Sequence, residues 1–296
     1  MNVYDFRKLM NQAWGVISFQ TPSEQVQSAL SLACSFGCLD DASELLMRWE
    51  EVNPGEGFQA LKPELDVAAL YGHGGIVDLI LRRGITMDAM TVWTAFKCEQ
   101  SSPIPGRSIP VFQAFIDAWD WGINDDINCT GTPLQHAVSG GYMELAQWML
   151  DHGANPNNCM RNLKRTTLAT ACENSSLAMI KLLLKNGASI GDSGGMHAAA
   201  RRGRVDVLAL LLFCGADIDE VPENPWIRQN EPRISTPLHA AVEANERSTV
   251  SFLIARGADI SVENLEGRTI LEVAKAKSYW GLTDLLRQGS TLKDEQ

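Results

Sequence analysis

Three polar residues in the middle of the chain, His136, Glu173 and Arg201, are of the types that enzymes use for acid–base chemistry. An imidazole titrates near neutral pH, a carboxylate accepts or releases protons, and a guanidinium stabilises developing negative charge. The three would form an acid–base site if the fold brought them together in a pocket that excludes water. The same residue types also suit an exposed polar surface, so both interpretations stay open.

The sequence contains no phosphate-binding loop, no paired zinc-ligand motif and no nucleophile elbow. Cys34 and Cys38 stand four residues apart and could share a helix face, but no second pair of ligands accompanies them. We therefore expect two small buried hydrophobic residues here, with no metal and no cofactor. The odd total of 7 cysteines without framework spacing indicates reduced thiols, and hence a cytoplasmic or nuclear setting.

The formal net charge of −11 makes general electrostatic binding to nucleic acid or to anionic lipid unfavourable. The N-terminal stretch MNVYDFRKLMNQAW carries Asp5, Arg7 and Lys8 and lacks a continuous apolar core, so it does not resemble a signal peptide. No apolar stretch approaches the roughly 18 residues that suggest a membrane span. The composition therefore predicts a folded protein that binds neither nucleic acid nor membranes.

The elements that must position these residues belong to an internal repeat. Thr132-Pro133-Leu134 matches Thr236-Pro237-Leu238, and Gly153-Ala154 matches Gly257-Ala258. The spacing from the first position of the unit to this glycine is 21 residues in five stretches, which begin at Pro63, Thr132, Thr166, Gly194 and Thr236. Each stretch has the pattern of two helices and a closing Gly; where the unit begins with Thr-Pro, the Thr can cap the first helix and the Pro suits its first position. With three less regular stretches, we count about eight copies.

The motifs STPLHAA, GHGGIVDLIL and HGAN, with GADI twice, resemble the ankyrin repeat, a turn followed by two antiparallel helices. The resemblance covers nearly the whole chain and implies an all-α ankyrin-repeat solenoid of helix–turn–helix units with short hairpin loops. We expect an N-terminal capping helix and linker over residues 1–22, an array over 23–289 and a flexible tail over 290–296. The repeats are expected near residues 23–56, 57–86, 87–125, 126–158, 159–190, 191–219, 220–262 and 263–289.

The resemblance also implies a concave groove, lined two, five and six residues after the signature Leu, and binding hairpin tips. His136, Glu173 and Arg201 fall on such groove positions. A long loop, residues 220–234, adds Trp226 and Arg228, which are residue types enriched at interface hot spots. The predicted partner-binding residues are Tyr71, Glu99, His136, Glu173, Asn174, Arg201, Arg202, Trp226, Arg228 and Glu243.

Aromatic residues are concentrated in the third copy, beside a ten-residue insertion, SSPIPGRSIP, at residues 101–110. They form either a core repacked around bulky side chains or the wall of a cavity for an apolar ligand. The residues are Trp93, Phe96, Phe112, Phe115, Trp119 and Trp121.

Two functions follow from the resemblance and from the polar residues. The first is an intracellular, non-catalytic scaffold, adaptor or inhibitor that recognises a protein partner through the groove and hairpin tips. The alternative is a solenoid adapted as a small-molecule-binding protein or biosynthetic enzyme, with an acid–base site around His136, Glu173 and Arg201. A closed aromatic pocket would favour the alternative.

Overall fold

The structure is a computed structural model that describes residues 21–118, 121–127, 130–158, 166–221 and 235–293. These residues contain sixteen α-helices, one short 3-10 helix at Phe58–Leu61 and no strand; a single antiparallel bridge joins Glu263 to Thr269. The all-α class expected from the repeat pattern is confirmed. The predicted capping helix at the N-terminus and the tail after residue 293 lie outside the described residues, apart from Thr21 and Pro22.

The chain divides into two compact units. Unit 1 comprises Met1–Asn128 with Tyr142–Trp148, and unit 2 comprises Cys129–Gly141 with Met149–Gln296. The helices of unit 1 are α1 Pro22–Phe36, α2 Leu39–Val52, α3 Lys62–Leu70, α4 Gly74–Leu81, α5 Ala89–Ser101 and α6 Ile109–Ala118.

The first helix of unit 2 is α7 Pro133–Gly140. The next helix, α8 Met143–Asp151, is divided: its residues up to Trp148 belong to unit 1 and those from Met149 to unit 2. The remaining helices of unit 2 are α9 Thr167–Asn174, α10 Leu177–Lys185, α11 Gly195–Arg201, α12 Val205–Phe213, α13 Pro237–Glu243, α14 Arg247–Ala255, α15 Ile270–Ala276 and α16 Trp280–Lys293.

The predicted capping residues start several first helices of the copies. Complete capping boxes form at Thr132, Thr236 and Thr269. In each, the Thr side chain accepts a bond from the backbone N–H three residues on, and the side chain of that residue accepts a bond from the backbone N–H of the Thr. Thr21 does the same with Glu24 ahead of α1. In the third copy Asp88, three residues before the expected start at Thr91, caps α5 instead.

Glycines close the second helices at the predicted spacing. Each of the five lies in the left-handed region, with φ between 84° and 92°, where a side chain would be strained. These glycines are Gly84, Gly153, Gly187, Gly215 and Gly257.

Within each unit, first helices pack against first helices of the neighbouring copies and second helices against second helices. In unit 1, α1, α3 and α5 follow one another in this way, as do α2, α4 and α6; in unit 2 the series is α7, α9, α11, α13 and α15. Buried alanines such as Ala68, Ala199 and Ala240 allow the close approach. This stacking places the ends of successive first helices side by side.

Side chains of one copy complete the carboxyl end of the first helix in the preceding copy. The Arg204 guanidinium reaches the carbonyls of Ala171, Cys172 and Ser175 at the end of α9, the last at 2.6 Å. The His73 Nε2 lies 3.2 Å from the carbonyl oxygen of Ser35 at the end of α1. Because the last carbonyls of a helix lack partners within it, these contacts stabilise the helix ends.

Candidate functional site

The candidate site in unit 2 is the row of residues at the carboxyl ends of α9, α11, α13 and α15. The repeat register places Glu173, Arg201, Glu243 and Ala276 five residues after the signature position. Asn174, Arg202, Ala244 and Lys277 follow one residue later. Since these helices stack in order, the row runs from copy to copy along one side of unit 2.

Glu173 and Arg202 form an ion pair between adjacent copies. The Arg202 Nη2 and Nε lie 2.8 and 2.9 Å from the same carboxylate oxygen, Oε1 of Glu173. The Glu173 side chain is only 10% exposed, whereas the Arg202 side chain is 53% exposed. The pair therefore shields its carboxylate and presents its cation to solvent.

Glu243 and Lys277 repeat this arrangement two copies later, in the same register. The Lys277 Nζ pairs with the Glu243 carboxylate and lies 3.4 Å from the Glu243 carbonyl oxygen, at the end of α13. The carboxylate is again less exposed than its cationic partner. The spacing of both pairs is thus a property of the stacked helices.

A pocket of about 200 Å³ lies beside the second ion pair. One side of it is formed by the hairpin turn that contains Asn264 and Arg268, where the Asn264 N–H donates to the Arg268 carbonyl at 2.9 Å. The other side is formed by the end of α15. The lining residues are Glu243, Asn264, Glu266, Arg268, Val273, Ala276 and Lys277. Concave space at this point therefore connects the groove positions with a hairpin tip.

The residues of the hypothetical acid–base site have other contacts. The Glu173 carboxylate is held by Arg202, and the His136 Nε2 lies 3.2 Å from the Thr130 hydroxyl. Arg201 is half-buried in α11, and Asn174 is exposed. Because the carboxylate already faces a guanidinium, these contacts do not define an acid–base pair of His136 and Glu173.

Two histidines that directly follow the signature Leu position, His197 and His239, serve the fold. His197 and His239 are buried, and burial lowers the pKa of each imidazole from its ordinary value of 6.5 to about 4. The His197 Nε2 lies 3.2 Å from the Ser235 carbonyl oxygen in the next copy, while His239 bonds to its capping Thr236. Gln135 fills the same slot in the fourth copy and donates to the Asn158 carbonyl at 2.9 Å.

Glu99 lies inside unit 1, although the sequence pattern placed it on the groove. Its two carboxylate oxygens accept bonds from the Gly106 N–H at 2.6 Å and from the N–H and hydroxyl of Ser108 at 3.0 and 2.8 Å. The insertion folds back onto the end of α5 and covers the carboxylate, leaving it 6% exposed. We therefore correct its role from partner contact to anchor of the 101–110 loop.

Tyr71, also in unit 1, is exposed, and its role as a partner contact stays a prediction. Its backbone carbonyl accepts two bonds from the Arg107 guanidinium, at 3.0 and 3.2 Å, so the inserted loop is tied to the end of α3 as well. Trp226 and Arg228, the predicted contacts of the long loop, lie outside the described residues.

The aromatic residues of the third copy form a packed cluster within unit 1. Phe112 and Phe115 are fully buried, and the Phe112 ring centroid lies 5.0 Å from that of Phe96 and 6.2 Å from that of Trp121. Trp93 extends the cluster with a centroid distance of 6.1 Å to Phe96. These contacts match the repacked core rather than a cavity wall. Trp119 lies outside the described residues.

In the part of the chain that the structure describes, no three or more His, Cys, Asp or Glu side chains come together as metal ligands would, and no helix has the length and apolarity needed to cross a bilayer. Cys34 is buried in α1, and burial raises the pKa of its thiol to about 12. Cys38 precedes α2.

Sequence reasoning missed the partners that orient the groove carboxylates. Arg202 and Lys277 were recognised as groove positions, but their pairing with Glu173 and Glu243 was not. The sequence did contain a signal for this pairing. In each case one copy has a Glu five residues after its signature Leu position, and the next copy has a cation six residues after its own.

Stacked helical pairs with capped starts and glycine ends, and paired charges at the ends of the first helices, define a helical repeat protein. A family model of ankyrin repeats matches three overlapping segments, residues 106–194, 159–221 and 196–294. Together they span well over half of the chain, which belongs to the ankyrin-repeat family. Ankyrin repeats generally mediate protein binding, and the chain is a repeat-based interaction module of this kind.

Several curated proteins are similar to the chain. Ankyrin repeat protein nuc-2 of Neurospora crassa is 27% identical over 241 residues, covering 79% of the chain and 20% of that protein. Ankyrin repeat and KH domain-containing protein mask-1 of Caenorhabditis elegans is 24% identical over 285 residues, covering 91% of the chain and 10% of that protein. The mouse B-cell lymphoma 3 protein homolog is 29% identical over 169 residues, covering 54% and 35%. The chain thus spans a fifth or less of the first two relatives.

Proposed function

We propose that the chain is an intracellular scaffold, adaptor or inhibitor that recognises a protein partner through unit 2. The groove positions Glu173, Arg201, Arg202 and Glu243 supply the polar contacts, with His136 and Asn174 beside them. The observation that carries the proposal is the pocket between the Asn264–Arg268 turn and the Glu243–Lys277 pair. It joins groove and hairpin tip in one concave surface, as a side chain of a partner requires.

The cations of the two ion pairs, Arg202 exposed and Lys277 half-buried, indicate which partner groups would bind there. Arg202 and Lys277 keep part of their charge in solvent while their carboxylates are shielded. Carboxylates of a partner can bond to the remaining donors of a guanidinium or ammonium without breaking the existing pair. The ankyrin-repeat family supports a binding function, and the cysteine usage supports a location in the cytoplasm or nucleus.

The test is affinity capture with the double variant Arg202→Glu/Lys277→Glu from lysate of the cells that express the protein. We expect the variant to lose proteins that the wild type binds, because both cations are replaced by carboxylates, which repel acidic groups of a partner. Arg287→Glu is the matched control: it reverses an exposed cation on α16 that also pairs with a carboxylate, Asp284, but lies off the row. Circular dichroism confirms that all three proteins are folded.

Partners that the control variant retains and the double variant loses would support the proposal. The groove proposal fails if the double variant retains the same partners as wild type, or if wild type captures no specific protein.

A further inference from the structure

Unit 1 carries a second surface, on the turns between the first and second helices of its copies. Four large apolar residues there are strongly exposed: Phe36 by 43%, Leu39 by 47%, Tyr71 by 46% and Ile104 by 59%. We call these four residues the turn strip. Phe36 ends α1, Tyr71 directly follows α3, Leu39 begins α2, and Ile104 lies in the inserted loop after α5.

Contacts between neighbouring copies hold the three turns side by side. The Leu39 side chain lies over Gly75, with its Cδ2 3.6 Å from where a Cβ would stand. The His73 ring lies against Gly37 and bonds to the Ser35 carbonyl, next to Phe36. Arg107 of the inserted loop bonds to the carbonyl of Tyr71. The three turns that carry the strip therefore lie next to one another from the first copy to the third.

One position of the strip, six residues after the signature Leu, carries large apolar residues in unit 1 but not in unit 2. Phe36 and Tyr71 stand there in unit 1, where unit 2 has Gly140, Asn174, Arg202, Ala244 and Lys277. Solvent-exposed large apolar residues in adjacent copies, at a position that is polar or small in the other unit, mark an interaction surface.

Charge indicates what this surface binds. Unit 1 contains 18 acidic and 8 basic residues, whereas unit 2 contains 18 acidic and 17 basic residues, so nearly all of the net negative charge belongs to unit 1. Two exposed carboxylates flank the turn strip: Asp40 follows Leu39, and Glu144 lies beside the inserted loop, its Cβ 3.4 Å from where a Cβ of Gly106 would stand. The positive charge of Arg107 is directed to the Tyr71 carbonyl.

We propose that the turn strip docks a basic amphipathic segment of a protein partner. The apolar side chains of the segment cover Phe36, Leu39, Tyr71 and Ile104, while its Lys and Arg residues face Asp40 and Glu144. This surface lies within unit 1 and does not depend on the proposed site in unit 2, so either proposal can fail without the other.

The test measures the binding of two labelled helical peptides by fluorescence anisotropy with the full chain, one built from Leu and Lys and the other from Leu and Glu. Of the two peptides, we expect only the Leu/Lys peptide to bind. The variant Leu39→Ser/Ile104→Ser should weaken this binding by about tenfold, as removal of central apolar contacts does at other interfaces. Met47→Ser, which removes an equally exposed apolar residue of α2 outside the strip, should leave the affinity unchanged.

A second pair of variants separates local from general electrostatic attraction. Asp40→Lys/Glu144→Lys and Glu51→Lys/Glu56→Lys change the net charge of unit 1 equally, but only the first pair flanks the strip. A greater loss of Leu/Lys peptide binding in the first pair supports the proposal. Equal losses in both pairs, unchanged binding in Leu39→Ser/Ile104→Ser, or no binding by wild type would overturn it.

Discussion

At the turn between first and second helix, two residues of unit 2 adopt the left-handed backbone conformation that four other copies leave to glycine. Asn245 and Ser278 have φ of 60° and 58°, at the turn between first and second helix. Gly37, Gly72, Gly141 and Gly203 occupy the same register position in other copies, with φ between 70° and 78°. A side chain in this region clashes with its own backbone, although Asn tolerates it better than Ser. Local strain is therefore stored at the last two turns.

Replacing Ser278 by Gly should stabilise the protein. Relief of the left-handed strain outweighs the greater freedom that Gly gives the unfolded chain, and we expect a gain of about 1 kcal/mol in the free energy of unfolding. Asn245→Gly should give a smaller gain. Urea titrations followed by circular dichroism measure both. Ser248→Gly, at an exposed helical position of α14, should instead be destabilising. A loss of stability in Ser278→Gly would contradict the strain argument.

At the scale of elements, the inserted loop of the third copy depends on one buried carboxylate. Glu99 accepts three bonds from Gly106 and Ser108, and Arg107 between them is tied to the end of α3. Without the carboxylate, two backbone N–H groups and a hydroxyl would lose their partner. Bonds to charged groups contribute about 1.5–3 kcal/mol each, so the closed loop has a substantial local stability to lose.

Glu99→Ala should therefore open the loop and expose the peptide bond after Arg107 to trypsin. We expect faster native-state cleavage at this bond than in wild type, measured by mass spectrometry of timed digests. Gln100→Ala changes the adjacent exposed residue of the same helix and should leave the cleavage rate unchanged. Equal cleavage rates for Glu99→Ala and wild type would show that other contacts keep the loop closed.

The regular elements could be predicted from the sequence, whereas the orientation of Glu99 could not. The spacing of Thr132 from Gly153 predicts a capped start and a left-handed end, and both occur because each depends on a local backbone requirement. Glu99 sits at a groove position by count, but the insertion that covers it follows no repeat pattern. Its burial results from bonds to a loop whose path the periodicity does not encode.

At the scale of the whole molecule, two buried imidazoles couple the stability of the array to pH. Burial holds the pKa of His197 and of His239 at about 4, whereas an exposed histidine titrates near 6.5. Between these values the unfolded chain binds more protons than the folded chain. The stability that the two neutral imidazoles contribute is therefore fully present above pH 6.5 and is lost as the pH falls towards 4.

We expect the free energy of unfolding, measured in urea at a series of pH values, to fall through this window by roughly 3 kcal/mol for each histidine at most. His197→Gln should flatten the pH dependence, because a neutral amide cannot take up the proton. Gln135 shows that this fold accepts glutamine in the same slot, bonded to a loop carbonyl. A variant with the same slope as wild type would assign the acid sensitivity to other groups.

The side chains that bond to the helix ends also determine where the chain can be truncated without loss of structure. Arg204 bonds to the last carbonyls of α9, and Lys277 reaches both the carboxylate and the carbonyl of Glu243 at the end of α13. Each of these helices is thus finished by the copy that comes after it. A chain shortened to end with the copy of α9 or of α13 therefore leaves the end of that first helix without these bonds, and its carboxylate, Glu173 or Glu243, without its cation. Unfolding of a following copy thus removes contacts that stabilise the copy before it.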